Sequence, residues 1–226
     1  MFVRRRPPYR HARERESLGV AATESRLIVS LRESLKQLAR GTATVVVSPM
    51  LASYFIRARI IGRDRALEGS TQWLGLIPGV SGEYLRRAFL IRTLDHCSTT
   101  CAIGFGTLFS QAGARIGDRV YIGPRCHLGL VHLEADVMLA AGVHIPSGSR
   151  THGTDTRTRM RDQPMERRLV RIGDGSWIGS NAVVLEDVGR EAIVGAGAVV
   201  THPVPDRVMA AGVPARIILH RSDVAS

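Results

Sequence analysis

Lysine is almost missing from this chain: of 31 basic residues, thirty are arginine, which points to a compositional bias of the source rather than to site-by-site selection. Cysteine is scarce too. Cys97, Cys101 and Cys126 form no set of paired half-cystines, which excludes a disulfide-framed fold and fits a reducing, cytoplasmic compartment. Aromatic residues make up only 5% of the sequence. The net charge of +11 is therefore not accompanied by the aromatic-studded platform of a nucleic-acid binder, and no nucleic-acid partner is expected. Long apolar runs are also lacking. The longest, Thr44 to Ile56, holds Pro49 and ends at Arg57, which reads as too short for a membrane span. No secretory signal is visible, because Arg4, Arg5 and Arg6 lead into Pro7 and Pro8 instead of an apolar stretch.

What the chain does have is a period of six. From Ile116 to Asp206 each unit opens on an aliphatic residue: Ile116, Ile122, Leu128, Leu133, Leu139, Ile145, Ile172, Ile178, Val184, Val188, Val194 and Val200. The next residue is small at Gly117, Gly123, Gly129, Ala140, Gly173, Gly179, Gly189 and Gly195. The fifth is small or apolar, as at Val120, Cys126, Val137, Val143, Ser149, Ser176, Ala182, Ala192, Ala198 and Val204. Such a period fits neither a helix nor a two-layer sheet, so it predicts short strands and turns stacked as a repeat. First and fifth positions fill the interior, and the glycines are expected to turn the corners at positive φ. Three units close one triangular coil, so twelve make about four coils. The coil is expected to begin earlier than the clean repeat, near Ile103 and Phe109.

The rest of the chain is organised around that domain. Residues 1–22, rich in arginine and proline, are expected to lack structure. Residues 23–100 read as a helical region. Leu27, Leu31, Leu35 and Leu38 recur at helical spacing before Gly41, placed as a stop, with Arg26, Arg32, Lys36 and Arg40 on the other face. Two roles fit that helix: a cap whose leucines pack on the protein, or peripheral contact with an anionic membrane, which would put the protein at the inner membrane face. Residues 1–40 carry a net +6, residues 41–100 +3 and the remainder +2, so the basic excess belongs to the leader. The repeat domain spans 101–218, with a short tail at 219–226. Its one large break, 150–171, is too polar for a coil and is expected to protrude as a loop on a functional face.

The strings I-G-D-R-V-Y-I-G-P-R-C-H and V-G-A-G-A-V-V-T resemble the hexapeptide-repeat acyltransferases. The closing run W-I-G-S-N-A-V-V, V-G-A-G-A-V-V-T-H-P-V-P and A-G-V-P-A-R-I-I is similar to the end of the maltose, serine and surface-polysaccharide O-acetyltransferase branch. The resemblance covers roughly residues 101–218. It implies a left-handed parallel β-helix, a homotrimer with sites between chains, and an acetyl-CoA-dependent O-acetyltransferase acting on a saccharide of envelope or polysaccharide biosynthesis.

The same resemblance implies that His152, at the root of the loop, is the general base. A sugar hydroxyl is a poor nucleophile, and an imidazole with an ordinary pKa near 6.5 can take its proton as it attacks the thioester directly. Asp155, in T-H-G-T-D, would hold the imidazole tautomer or orient the substrate. For the coenzyme A arm the resemblance points to Trp177, Gly179, Ser180, Gly195, Ala196, Gly197 and, for the phosphates, Arg216. The loop arginines Arg157, Arg159, Arg161, Arg167 and Arg168 suit an anionic acceptor or simply a solvated loop. The branch usually carries an asparagine one coil before its catalytic histidine, where this chain reads Tyr121-Ile122-Gly123-Pro124-Arg125-Cys126. That departure bears on the small-sugar acceptor.

Other readings stay open. Amino-sugar N-acetylation belongs to the same class, and a non-catalytic trimeric scaffold to another. His127 and His132, with His96 as a third ligand, would suit a zinc site like that of the γ-class carbonic anhydrases. His132, however, reads as an interior fifth position and hence as a packed core residue, and no metal is expected.

Overall fold

The computed structural model describes residues 9–149, 153 and 155–224, which divide into two units, 1–42 and 43–226. Helix α1 runs from Tyr9 to Ile61. It begins inside the segment expected to lack structure and passes through Gly41, which does not stop it. One glycine in a helix costs only about 1 kcal/mol. Pro49 also lies within it. Proline has no N–H to offer the carbonyl four residues earlier, and Ser48 Oγ bonds that carbonyl, Val45 O, at 2.7 Å. Because the helix is unbroken, Glu33–Ile61 is long and apolar enough to cross a membrane by length and composition, which corrects the reading of its apolar run as too short.

Helices α2 (Arg63–Gly75) and α3 (Gly79–Thr93) follow, and then the solenoid. Its first coil is β1 (His96–Cys97), β2 (Ala102–Ile103) and β3 (Leu108–Phe109); the second is β4 (Arg115–Ile116), β5 (Tyr121–Ile122) and β6 (His127–Leu128). The third is β7 (Val131–Leu133), β8 (Met138–Leu139) and β9 (His144–Ile145), and the fourth, beyond the loop, is β10 (Val170–Ile172), β11 (Trp177–Ile178) and β12 (Val183–Val184). A bridge at Val188 opens the fifth, with β13 (Ile193–Val194) and β14 (Val199–Val200); a bridge at Val204 opens the sixth, with β15 (Val208–Ala211). β16 (Arg216–His220) folds back antiparallel on β15 and ends the stack. All other pairings are parallel, and they form three faces: β1-β4-β7-β10, β2-β5-β8-β11-β13-β15 and β3-β6-β9-β12-β14.

The fold is mainly β, a parallel β-helix of about six turns with an N-terminal helical region, two turns more than the clean repeat counts. All twelve unit-opening residues are at most 2% exposed, so the interior is one aliphatic column. Two fifth-position readings fail. Ser149 lies outside the column, and His132 points outward between buried Val131 and Leu133.

The repeat glycines serve a different purpose from the one expected. Gly117, Gly123, Gly173, Gly179 and Gly189 do not have positive φ. A Cβ on Gly179 would stand 2.5 Å from the backbone N of Ala196, and one on Gly123 2.7 Å from the carbonyl carbon of Ala140. They are glycine because the next coil is too close. The left-handed residue of each corner comes two positions later, often not as glycine: Arg119, Arg125, Asp136, Asn181, Glu191 and Arg207.

The open edge of the first coil is closed by the two short helices. Buried Arg86 donates from Nε to Ile103 O at 2.9 Å and from Nη1 to Ile77 O at 2.8 Å, and burial lowers its pKa. Arg87 Nη1 donates to Cys101 O at 2.7 Å. Thr71 Oγ1 bonds Phe109 O, Gly75 O accepts from Gly106 N, and Asp64 accepts from Ala112 N. Strand-edge groups that would otherwise recruit another chain are thereby satisfied.

Candidate functional site

The loop leaves the corner between the third and first faces, directly after β9. Its return limb is fixed there by Arg168 N donating to Ser147 O at 2.8 Å. The Arg168 guanidinium forks between Glu186 and Asp187, with Nη2–Oδ2 at 2.6 Å to the latter, and Ser149 Oγ donates to Glu186 at 2.9 Å. Beside this root lies a cleft of about 450 Å³ lined by Ser149, Glu166, Arg168, Glu186, Thr201, His202 and Pro203. Thr201 Oγ1 and His202 Nδ1 stand 3.0 Å apart in it. The cleft thus presents a hydroxyl, an imidazole and a charge-compensated guanidinium at the place where the loop begins.

His152 itself lies outside the described residues. Asp155 is described, and its carboxylate belongs to the loop's own turn: Oδ1 accepts from Arg157 N at 2.9 Å and Oδ2 from Thr158 Oγ1 at 3.1 Å. The residue that organises the loop is Gln163, which no sequence motif singles out. It is 6% exposed, and its Nε2 donates to Asp155 O at 2.6 Å and Thr158 O at 2.9 Å. Its Oε1 is buried with no partner among the described residues, beside Gly153, where an added Cβ would come within 2.6 Å. Only the run M-R-D-Q-P, which shows that a turn follows, hints at it. Thr201 and His202 escape sequence reasoning because the period treats them as an ordinary corner.

The residues expected to take coenzyme A gather along another edge, between the second and third faces. Gly179 and Ser180 form that corner in the fourth coil, Gly195, Ala196 and Gly197 in the fifth, joined by Gly197 N donating to Ser180 O at 2.8 Å. Trp177 lies half exposed on the second face just above, and exposed Arg216 pairs through β16 with Ala211. Of these three glycines only Gly197 is open: at φ +67°, an added methyl there would meet nothing within 4 Å, whereas Gly179 and Gly195 are packed by the coil below. Within one chain, the width of the third face separates this edge from the loop root.

The loop arginines divide: Arg168 is held in ion pairs, Arg167 stands 4.0 Å from Asp64, and Arg157, Arg159 and Arg161 are exposed. The histidines do not assemble as the zinc reading requires. His127 lies on the third face and His132 on the first, where Arg115 separates it from His96. The neighbour of His127 is His144, stacked at 5.0 Å with rings 8° apart. Burial, and then the nearby His127, lower the pKa of His144. Among the described residues no group of three His, Cys, Asp or Glu converges to hold a metal. Cys97 and Cys101 are buried thiols with Sγ atoms 3.6 Å apart, and desolvation pushes buried Cys126 up to about 11.

Two family models match the solenoid: a six-repeat bacterial transferase hexapeptide over residues 170–202, and the hexapeptide repeat of succinyl-transferase over 113–146. These matches fit the hexapeptide-repeat acyltransferase superfamily. Its curated relatives include a putative lipopolysaccharide biosynthesis O-acetyl transferase of Escherichia coli K12, 30% identical over 52% of this chain and 62% of the relative. A 2,3,4,5-tetrahydropyridine-2,6-dicarboxylate N-acetyltransferase of Staphylococcus aureus is 38% identical over 42% of this chain and 32% of its own length. The chain thus spans 62% and 32% of the lengths of these two curated relatives. A solved maltose O-acetyltransferase from Clostridium difficile 630 shares the fold, at TM-score 0.61 and 21% identity, covering 71% of this chain and 87% of that one.

Proposed function

We propose that this chain is an acetyl-CoA-dependent O-acetyltransferase acting on a saccharide hydroxyl, with His152 as general base and no covalent acyl-enzyme. The observation that carries the reading is the loop: it makes the one large break in the solenoid and begins at a cleft bearing Thr201 and His202, and its sequence carries His152 three residues after Ser149 of that cleft. A solenoid wall of short strands and small corner residues suits the long, thin pantetheine arm, which can lie along the edge of Gly179, Ser180 and Gly197. Arg216 at the end of that edge has the charge and the donors for a phosphate. Once the hydroxyl proton passes to the imidazole, the oxygen attacks the thioester carbonyl, and the proton returns to the departing thiolate.

The wide separation of the coenzyme A edge from the loop root supports a shared site, completed in a homotrimer by the corner of one chain meeting the loop of the next. The similarity to an N-acetyltransferase favours a second reading, transfer to an amino sugar. Thiol release from acetyl-CoA by purified protein, measured against matched panels of sugars and amino sugars, separates the two. Release with hydroxyl acceptors is expected; release with amines alone replaces the first reading by the second, and release with neither panel contradicts both. Solution mass is expected to give a trimer, and a stable, active monomer would remove the shared site.

A further inference from the structure

We infer that the outer face of α1, from Val45 to Ile60, seats the protein on an anionic lipid surface, lying flat and not crossing it. The inference is independent of the acyl-transfer reading. It also moves the membrane contact anticipated for residues 23–40 further along the same helix.

From Gly41 to Ile56 the sequence contains no charged residue, so this stretch of α1 is apolar nearly all round. A helix of that kind needs cover on every side. One side has it: Ala43, Val47, Leu51 and Tyr54 are buried, and Tyr54 packs edge-on against Phe89 with ring centroids 5.6 Å apart. The opposite side does not. Val45, Val46, Phe55, Ile56 and Ile60 are between 52% and 76% exposed. Trp73, 70% exposed, extends the face, since it shares a surface depression with Met50 and Ser53.

Spanning is incompatible with how the helix is held. Arg57 donates to Ser70 Oγ at 2.8 Å and to Ala66 O, and Arg92 donates to Thr44 Oγ1. Crossing a bilayer would break these bonds and strip Tyr54 from its core, whereas a flat pose leaves all of them intact. The sign of the surrounding charge selects the partner. Arg59 and Arg65 are exposed at the end of this face. A second copy laid against it brings more arginine, while anionic head groups bring the opposite sign, and an amphipathic tryptophan suits their level.

Flotation of the full chain with vesicles of phosphatidylglycerol and phosphatidylcholine, against phosphatidylcholine alone, tests this. Wild type is expected to float with the anionic vesicles at least tenfold more than with the neutral ones. The double variant Val46→Glu, Ile56→Glu is expected to lose that fraction while keeping its melting temperature. Should the variant unfold, Trp73 in a Trp177→Phe background supplies a second readout, a blue shift of emission on adding anionic vesicles. No flotation of wild type, or no shift of Trp73, overturns the inference. So does a variant whose solution mass falls, because the face would then be an interface between copies.

Discussion

Replacing Gly123 by alanine adds one methyl group to a surface corner, yet it is expected to cost more than the same change at Gly197. The Cβ at 123 would lie 2.7 Å from the carbonyl carbon of Ala140, 2.8 Å from its oxygen and 2.9 Å from Ala141 N. All three atoms are backbone, and they belong to a coil whose position is fixed by its own hydrogen bonds, including Gly123 N to Leu139 O at 2.8 Å. No side chain can swing aside, so the coils must part. Overpacking of this kind costs about 1–3 kcal/mol, and the rigidity of the contact places the change at the upper end. At Gly197 the methyl meets nothing within 4 Å, and the cost is that of a left-handed alanine, about 1 kcal/mol. For a chain of this size those values correspond to melting temperatures lower by roughly 6–12 °C and 2–4 °C. Asparagine sharpens the contrast, because it tolerates the left-handed region, as Asn181 does at the equivalent corner. Gly197→Asn is expected to be nearly neutral, and Gly123→Asn at least as damaging as alanine. Thermal and urea unfolding of the four variants decide the matter. Equal losses at both sites, or a Gly123→Ala protein as stable as wild type, would refute the close-approach argument.

Two further outcomes follow from the loop and the histidine stack. Gln163→Ala removes both amide bonds that tie Asp155 and Thr158, so kcat is expected to fall about tenfold or more, with faster proteolysis inside the loop; Gln163→Glu, which cannot donate, should not restore either, and normal turnover in both variants would contradict the role of Gln163. Burial depresses the pKa of His144, seconded by His127, and that of His132, seconded by Arg171, below the ordinary 6.5. The unfolded chain therefore binds more protons, and the stabilisation present above about pH 6.5 is lost as pH falls through the lower folded values. Urea midpoints should decline from about pH 7.5 to 5 and decline less in His132→Gln, His144→Gln; midpoints that rise on acidification would reverse the sign.

The solenoid was legible because its interior makes one demand at the head of each short unit, and all twelve unit-opening residues from Ile116 to Val200 meet it on either side of the loop. The outer coils were less so. In the first coil the interior is still filled, by Cys101, Ile103, Thr107 and Phe109, but Thr107 and Phe109 are residue types the later coils do not use at fifth or opening positions, so the period is harder to read there. The role of the glycines could not be read from one coil alone, because it depends on the distance to the next. Gly41 and Pro49 read as breakers by local propensity, and the packing of Ala43, Val47, Leu51 and Tyr54 overrides them. At the site, sequence could mark the loop by its break in period. It could not mark Gln163, whose importance lies in two backbone carbonyls, or Thr201 and His202, which matter only because the loop root stands beside them.

The central claim is acid–base transfer through His152. Its most direct test is the turnover of His152→Ala, measured as thiol release under saturating acetyl-CoA and acceptor, together with acetyl-CoA affinity by calorimetry. Loss of a positioned general base predicts turnover lower by about a hundredfold to ten-thousandfold, with donor affinity unchanged because the edge proposed for coenzyme A is built from other coils. Near-native turnover in that variant would contradict the account.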